Sequence, residues 1–311
     1  MIISQTPLRI SFVGGGTDLP AYYRKFGGKV VSTAIDKFVY VLITSRYDDR
    51  IVAGYSKQEI VNSINDIQHD LIRETARMVG LVNGFEVKTM ADIPSEGSGL
   101  GSSSAITVGL LNAFYAYRGI QVSSFRLAEE ACKIEIDVLK NPIGKQDQYS
   151  CAMGGYNAIT FNKDDTVDIV NLKEDVIFQD FLLFGTGMQR KSSAILLEQN
   201  YLLDSKIELY HALKLLSCEQ KPLYELITRD WEIKKRLAPN ITNPEIETMI
   251  EIARSGGVTG YKILGAGGGG FLLVYCPREY QSELRRIMNS YRELPFKSES
   301  SGSRIIFNHK R

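Results

Sequence analysis

Glycine is unevenly distributed along this chain of 311 residues, and its clusters restrict the possible folds more than any other feature. The clusters lie at 14–16, at 97, 99 and 101, at 154–155, at 256–257, and at 265 with 267–270. Because glycine has no Cβ, such positions permit positive φ angles and a close approach of backbone to backbone or to a ligand. The segments between them have ordinary apolar periodicity, which predicts regular elements joined by tight turns.

The overall composition is that of a globular protein. Hydrophobic residues make up 44% and charged residues 23% of the chain, which excludes global disorder, collagen-like repeats and a membrane bundle. The formal net charge is +1, so the totals give no bias toward polyanions. We therefore expect neither nucleic acid nor a membrane as a partner, and any affinity for anions must be local.

The cysteines and the N-terminal segment bear on the compartment. The four cysteines lie far apart and have no metal-ligand spacing. The first ten residues, MIISQTPLRI, contain no basic stretch that leads into an apolar one, so they do not indicate a secretory signal. These observations predict a reducing, cytoplasmic location.

Hydrophobic periodicity predicts an α+β protein of two closely packed halves. Strands are predicted over 2–13, 38–44, 85–89, 156–161 and 181–184, followed by a strand, a glycine-rich turn and a strand within 261–275, and by a last strand over 304–308. Helices are predicted over 103–117, 124–139, 192–216, 222–237, 244–255 and 277–291. Strands dominate the first half and helices the third quarter, so we predict domains over 1–175 and 176–311.

A serine- and glycine-rich loop leads from a strand region directly into a predicted apolar helix. Its glycines allow the backbone to approach a bulky anion, and its serines stand where unbonded helix-start amides point outward. This pattern predicts a phosphate cradle, and a serine hydroxyl at its end can also reach a magnesium ion. A flexible turn with ordinary capping serines is the alternative, but it explains three alternating glycines poorly. The residues concerned are Gly97, Ser98, Gly99, Leu100, Gly101, Ser102, Ser103 and Ser104.

Three segments in order resemble the motifs of the GHMP kinases, the superfamily of galactokinase, homoserine kinase and mevalonate kinase. They are the loop just described, the N-terminal segment TPLRISFVGGGTD at 6–18 and the C-terminal segment KILGAGGGGF at 262–271. The resemblance implies a two-domain fold with a ribosomal protein S5 domain 2-like N-terminal half and a ferredoxin-like C-terminal half. It also implies ATP bound through the loop, Mg²⁺ as cofactor, and phosphoryl transfer to an alcohol.

The resemblance further assigns roles to single residues. Asp147 resembles the aspartate that orients or deprotonates the acceptor hydroxyl, although an aspartate that caps a short helix would look the same. Glu135 resembles the glutamate that binds magnesium together with a loop serine, here Ser103. Arg9 resembles the arginine near the transferring phosphoryl group, a task that suits its planar, always charged fork. Asp18 resembles the aspartate that binds sugar hydroxyls.

The acceptor is predicted from the same motifs. The sequence GGGTD at 14–18 departs from the galactokinase pattern, which argues against galactose. Together with the segments GKQDQ and FGTGMQR it most resembles the D-glycero-D-manno-heptose 7-phosphate kinases. This implies phosphorylation of the anomeric hydroxyl to give the 1,7-bisphosphate, on the way to a nucleotide-activated heptose for surface polysaccharide. Candidate substrate-binding residues are Gly15, Gly16, Thr17, Asp18, Arg190 and Gly268.

Alternative interpretations remain open at this point. Arg190 follows a Thr-Gly turn and is predicted to bind the distal phosphate of the acceptor. The alternative interpretation is a solvated basic residue at the surface. Lys145 and Lys234 are further candidates for this phosphate. Fucose, a uronic acid or an isoprenoid alcohol such as mevalonate is the alternative acceptor. A non-catalytic sugar and nucleotide sensor on the same fold is a third hypothesis, because fold alone does not fix function. A monomer or a homodimer is expected.

Overall fold

The computed structural model describes residues 1–94, 97–173, 178–188 and 192–309. Over these ranges the chain forms the strands β1 (Ile2–Val13), β2 (Gly28–Ser45), β3 (Ile51–Gly54), β4 (Gln58–Val61), β5 (Phe85–Ala91), β6 (Tyr156–Phe161), β7 (Val167–Asn171), β8 (Phe181–Gly185), β9 (Gly260–Ile263), β10 (Phe271–Tyr275) and β11 (Arg304–Asn308). The helices are α1 (Pro20–Phe26), α2 (Asp70–Val79), α3 (Ser102–Tyr117), α4 (Ser124–Cys132), α5 (Gln146–Met153), α6 (Ser192–Leu202), α7 (Ile207–Leu216), α8 (Leu223–Lys234), α9 (Pro244–Ser255) and α10 (Gln281–Ile287).

The first sheet is built around β1 and β2. Its strands follow the order β11-β1-β2-β5-β3-β4, and β6 also pairs with β2 and carries β7. β2 has 18 residues, so its first part pairs with β6 while its last part pairs with β5. The register of β1 against β2 shifts after Pro7, which has no N–H to donate to a ladder. Arg9 follows this shift on β1.

Helix α3 is the central helix behind this sheet. Most of its residues are buried, because its sequence SSSAITVGLLNAFYAY is apolar on every side. It packs on β1 and β2, and Gly109 allows the close approach, since a Cβ there would lie 3.0 Å from Thr6 Oγ1. α3 begins after Gly101, which has a φ of +78° and forms no side-chain cap. The first amides of α3 are therefore open to a ligand.

The second sheet is antiparallel, in the order β8-β10-β9. It packs with α7, α8 and α9 around a core that includes Trp231 and Met249 and also Leu19 and Tyr22 from the N-terminal part of the chain. β11 does not join this sheet; it pairs antiparallel with β1. The chain therefore returns to the first sheet at β11, and α1 contributes Tyr22 to the core of the second sheet.

The structure confirms an α+β architecture and changes several predicted elements. The helix predicted over 124–139 is α4 followed by a π-helical turn over Lys133–Val138. The helix predicted over 192–216 divides into α6 and α7, because Ser205 bonds back to the Leu202 carbonyl and competes with the helix. Asp147 lies in the first turn of α5, where Lys145 and not Asp147 is the N-cap residue. The elements not predicted are α1, α2, α5, β3, β4, β7 and the first part of β2, residues 28–37.

Candidate active site

Two adjoining cavities lie between the halves of the chain. The larger, of about 270 Å³, is lined by the serine-glycine loop and by Glu135. The smaller, of about 100 Å³, is lined by Gly15, Gly16 and Asp18. Both cavities are bounded by Arg9 and Asp147. A group in one cavity and a group in the other therefore meet at this pair.

Arg9 and Asp147 form a bidentate ion pair. Arg9 Nε and Nη2 each donate to a different Asp147 carboxylate oxygen at 2.8 Å. Arg9 is buried, while the Asp147 side chain keeps 30% of its surface exposed toward the cavities. Burial alone would lower the pKa of Arg9, but the charge of Asp147 and its hydrogen bond outweigh it and raise that pKa. The arginine is thus permanently charged, and it fixes the orientation of the carboxylate.

The serine-glycine loop is held from two sides. Arg9 donates from its backbone amide to the Leu100 carbonyl at 3.0 Å and from Nη1 to the Gly99 carbonyl at 2.6 Å. On the other side, a Cβ on Gly99 would lie 2.5 Å from the Leu264 carbonyl oxygen. Gly99 has a φ of +73°, so both its conformation and its surroundings require glycine. The loop therefore has the rigid, close backbone approach that the phosphate hypothesis needs.

Glu135 is a buried carboxylate that faces the start of α3. It lies in the π-helical turn, where the Leu139 amide bonds to the Ile134 carbonyl. Its Oε1 accepts a hydrogen bond from Gln148 Nε2 at 3.1 Å, and its Oε2 accepts hydrogen bonds from the hydroxyls of Ser103 at 3.2 Å and Ser104 at 3.3 Å. Burial raises its pKa to about 7, against the effect of these hydrogen bonds. Two hydroxyls and a carboxylate are ligands that suit a hard divalent cation.

Asp18 is placed at the other end of the site by the N-terminal glycine turn. Its Oδ1 accepts from the Gly16 amide at 2.9 Å and its Oδ2 from the Gln146 amide at 3.0 Å. Burial raises the pKa of Asp18, and the charge of Asp147 adds to this effect. A Cβ on Gly144 would lie 1.9 Å from Asp18 Oδ2, so only glycine allows this approach. Asp18 is therefore a fixed hydrogen-bond acceptor beside the smaller cavity.

Three other residues that the sequence proposed for the site, Thr17, Lys145 and Gly268, line neither cavity. Thr17 is buried and donates its hydroxyl to the Gly14 carbonyl at 2.8 Å, so it shapes the turn. Gly268 donates its amide to the Ile241 carbonyl at 2.7 Å and lines neither cavity. Lys145 bonds to Asp165 at 3.2 Å and is turned away from the site. Arg190, predicted to bind a phosphate, lies outside the described residues.

Sequence reasoning missed Gln146 and underrated Lys234. Gln146 lines the smaller cavity, and its buried Nε2 has no hydrogen-bond partner within the described ranges. Lys234, on α8, reaches the same cavity although 88 positions separate the two residues in the chain. Gln146 belongs to the GKQDQ segment next to Asp147, which was a local signal. Lys234 had none, because only the packing of α8 brings it to the site.

Comparison with known families agrees with this geometry. A model of the GHMP kinases N terminal domain matches residues 65–155, and a model of the GHMP kinases C terminal domain matches residues 212–293. Together they cover more than half of the chain. The chain belongs to the GHMP kinases. Members of this family are phosphotransferases that use ATP as phosphate donor, which confirms the resemblance seen in the motifs.

Individual relatives span the family. A D-glycero-alpha-D-manno-heptose 7-phosphate kinase of Campylobacter jejuni is 28% identical, over 88% of this chain and 89% of that protein. The L-fucokinase/L-fucose-1-P guanylyltransferase of Bacteroides fragilis is 26% identical over 88% of this chain, which spans 34% of that longer protein. A mevalonate kinase of Methanocaldococcus jannaschii is 24% identical, over 85% of this chain and 90% of that protein.

Solved structures show the same fold. A D-glycero-D-manno-heptose 1-phosphate kinase of Bacteroides thetaiotaomicron superposes with a TM-score of 0.82 at 23% identity, over 100% of both chains. A Streptococcus pneumoniae phosphomevalonate kinase, in complex with phosphomevalonate and AMPPNP, gives a TM-score of 0.80 at 15% identity, over 96% of this chain and 100% of that chain. These similarities confirm the predicted two-domain α+β fold of the GHMP kinases. Within the described ranges, no helix is long and apolar enough to cross a membrane.

Proposed function

We propose that this protein is an ATP-dependent sugar kinase that phosphorylates the anomeric hydroxyl of D-glycero-D-manno-heptose 7-phosphate to give the 1,7-bisphosphate. The product would serve the synthesis of nucleotide-activated heptose for surface polysaccharide. The observation that carries the proposal is the Arg9–Asp147 pair at the meeting point of two cavities, one of them bounded by the serine-glycine loop. The similarity to the Campylobacter jejuni kinase supports this acceptor.

In the proposed reaction, the acceptor hydroxyl lies at Asp147. Its oxygen attacks the γ-phosphorus of ATP, the bond from that phosphorus to the β–γ bridging oxygen breaks, and ADP leaves. Asp147 orients the hydroxyl and takes its proton. Arg9 binds the transferring phosphoryl oxygens and holds Asp147 in place through the two hydrogen bonds of 2.8 Å. Such transfer depends mainly on alignment and charge neutralisation, which a fixed carboxylate and a fixed guanidinium group supply.

On the donor side, the loop residues 97–104 bind the phosphates of ATP through backbone amides and the open start of α3. Ser103 and Glu135 would hold Mg²⁺, which would neutralise phosphate charge when bound. The fit rests on Glu135 itself: the carboxylate is fully buried, and within the described residues no cationic side chain lies within 4 Å of it. A buried carboxylate of this kind is costly unless a cation binds it.

On the acceptor side, Asp18 binds sugar hydroxyls while Gly15, Gly16 and Thr17 shape the turn around them. Gly268 belongs to the glycine-rich turn that covers the site from the second half. Arg190 binds the distal phosphate of the acceptor. We further propose that the enzyme works in the cytoplasm, where ATP is available, as a monomer or a homodimer.

A coupled ADP-release assay over a panel of sugars and sugar phosphates tests the proposal. We expect turnover confined to phosphorylated heptoses, with magnesium required. Activity with fucose, a uronic acid or mevalonate instead would overturn the proposed acceptor but not the family. Turnover by Asp147→Asn at the rate of the unmodified enzyme would overturn the role of Asp147, since ATP binding should persist in that variant while transfer is lost.

A further inference from the structure

Lys234 is a buried cation that forms no ion pair with any carboxylate of the described residues, although the charges of Asp230 and Asp18 act on it from a longer distance. Its side chain is almost fully buried, and its Nζ donates to the Gly265 carbonyl. Asp230, one helical turn earlier, pairs instead with Lys262 at 2.6 Å and accepts from the Gly14 amide at 2.8 Å. Within the described parts of the chain, no carboxylate lies within 4 Å of Lys234 Nζ. A carbonyl dipole satisfies one N–H of the ammonium group and leaves its charge uncompensated.

The ammonium group faces the smaller cavity, which we call the acceptor cavity because the proposed function places the sugar there. It does not face the larger cavity, which the proposed function assigns to the nucleotide. Lys234 lines the smaller cavity with Asp18 and Gln146, and it does not line the larger one. A Cβ placed on Gly15, in the wall of the smaller cavity, would lie 3.9 Å from Lys234 Nζ and 3.8 Å from Gln146 Oε1. An anion bound by Lys234 would therefore belong to the acceptor and not to the nucleotide.

A second donor in the same wall lacks a partner. Gln146 accepts the Ser11 hydroxyl on its Oε1 at 3.2 Å, but its buried Nε2 has no hydrogen-bond partner among the described residues. Leaving such an amide unbonded costs free energy, so a ligand oxygen is the expected partner. Among the described residues that line this cavity, Arg9 is the other cation; it is paired with Asp147, and the proposed function assigns it to the transferring phosphoryl group.

The titration of Lys234 agrees with this geometry. Burial lowers its pKa to about 8, and the charge of Lys262 lowers it further, while Asp230 acts in the opposite direction. Burial without an ion-pair partner lowers the pKa of an amine, and a bound anion raises that pKa again.

From the position of Lys234 and Gln146 in the acceptor cavity, we propose that these two side chains bind an anionic group carried by the sugar and so make the enzyme selective for anionic acceptors. The inference rests on the proposed function and deepens it. With heptose 7-phosphate as acceptor the group is its phosphate monoester, which Lys234 approaches from α8. A carboxylate, as in a uronic acid, is the other source of such a group.

The test compares KM and kcat for D-glycero-D-manno-heptose 7-phosphate and for the unphosphorylated heptose in Lys234→Met and in Lys145→Met. Methionine removes the charge of Lys234 at similar volume and leaves no buried ion behind, so the variant should fold, and circular dichroism with a melting curve checks this. Lys145→Met is the matched control, because Lys145 bonds to Asp165 outside the cavity.

We expect Lys234→Met to raise KM for the phosphorylated sugar about 100-fold, as is typical when one partner of a buried charged pair is lost. Its KM for the unphosphorylated sugar and its kcat should change less than roughly threefold, and the control should match the unmodified enzyme. Equal losses for both sugars, or none for either, would overturn the role of Lys234.

The outcome also separates this inference from the proposed function. If the unmodified enzyme uses another anionic acceptor, the substrate assignment is wrong, and the same comparison on that acceptor and its neutral counterpart decides the role of Lys234. If the unmodified enzyme prefers a neutral sugar to its anionic form, the inference fails together with the proposed acceptor. Retention of the preference for the phosphorylated sugar in Lys234→Met refutes the inference alone.

Discussion

Replacing Glu135 with glutamine should remove a loss of stability that the metal-free protein undergoes as the pH rises, and it should remove the kinase activity. Glu135 is fully buried beside Ser103 and Ser104, and burial raises its pKa from the usual 4.5 to about 7. The folded protein therefore binds a proton that the unfolded chain releases between these two pH values. Stability must fall as pH rises through this interval, because the unfolded state binds fewer protons there.

The magnitude follows from the two pKa values. Their difference costs the folded protein about 3 kcal/mol once the pH exceeds both, at 1.36 kcal/mol per pH unit. Between pH 5 and pH 8 the cost grows by about 2 to 3 kcal/mol. Glutamine does not titrate, and its amide keeps an oxygen for the two serine hydroxyls. It loses the hydrogen bond from Gln148 Nε2, a cost that does not change with pH in this interval. The stability of Glu135→Gln relative to the unmodified protein should rise by this amount across the interval.

Thermal unfolding in EDTA at several pH values measures the effect. For a chain of this length the relative melting temperature should shift by about 4 °C between pH 5 and pH 8. Glu129→Gln is the control, because it removes an exposed carboxylate from α4, just before the π-helical turn, and should parallel the unmodified protein. A difference between Glu135→Gln and the unmodified protein that stays constant with pH would refute the argument that Glu135 is a buried charge awaiting a cation.

Three further substitutions probe the cavities and their junction. Gly15→Ala should raise KM for the acceptor about tenfold and leave KM for ATP unchanged in steady-state assays. The added methyl would enter the smaller cavity, yet it lies 3.4 Å or more from its neighbours and Gly15 has no positive φ, so the variant should fold. A larger effect on KM for ATP than on KM for the acceptor would contradict this. Gly99→Ala should lose about 1 to 3 kcal/mol of stability in denaturant titrations and should weaken nucleotide binding. Its Cβ would lie 2.5 Å from the Leu264 carbonyl oxygen, at a positive φ. Unchanged stability would show that the serine-glycine loop can change its conformation without cost. Arg9→Lys should lower kcat about 100-fold in the ADP-release assay because lysine cannot bond both oxygens of Asp147, and a rate near the original would exclude the bidentate pair from the mechanism.

The site residues that the sequence predicted are those with a local pattern. Arg9, Asp18 and the serine-glycine loop lie in short motifs whose residue types already imply a turn, a charge or an open helix start. The ion pair of Arg9 with Asp147 was not predicted, although both residues were, because 138 positions separate them and pairing depends on how α5 docks on β1. Lys234 was named only as a further candidate for the distal phosphate, since a lysine at the end of an amphipathic helix has the pattern of a surface residue.

The fold was predicted where periodicity is strong and missed where elements are short or polar. β1 and α9 were predicted with their observed limits because apolar spacing is clear in both, glycine follows both, and Pro244 marks the start of α9. β4 and β7 alternate between exposed and half-buried residues at sheet edges, so they have little apolar signal. The π-helical turn at Glu135 was invisible because a change from a four-residue to a five-residue hydrogen bond leaves no mark on the apolar pattern.

The pairing of β11 with β1 has a consequence during synthesis. β2 leaves the ribosome soon after β1 and can cover one side of it, whereas β11 follows about 290 residues later. At roughly 5 to 20 residues per second, the strand that bears Arg9 waits on the order of 15 to 60 s with an open hydrogen-bonding edge. An open edge is a template for pairing with other nascent chains. Slow translation of the second half should therefore lower the yield of native enzyme without altering its final structure.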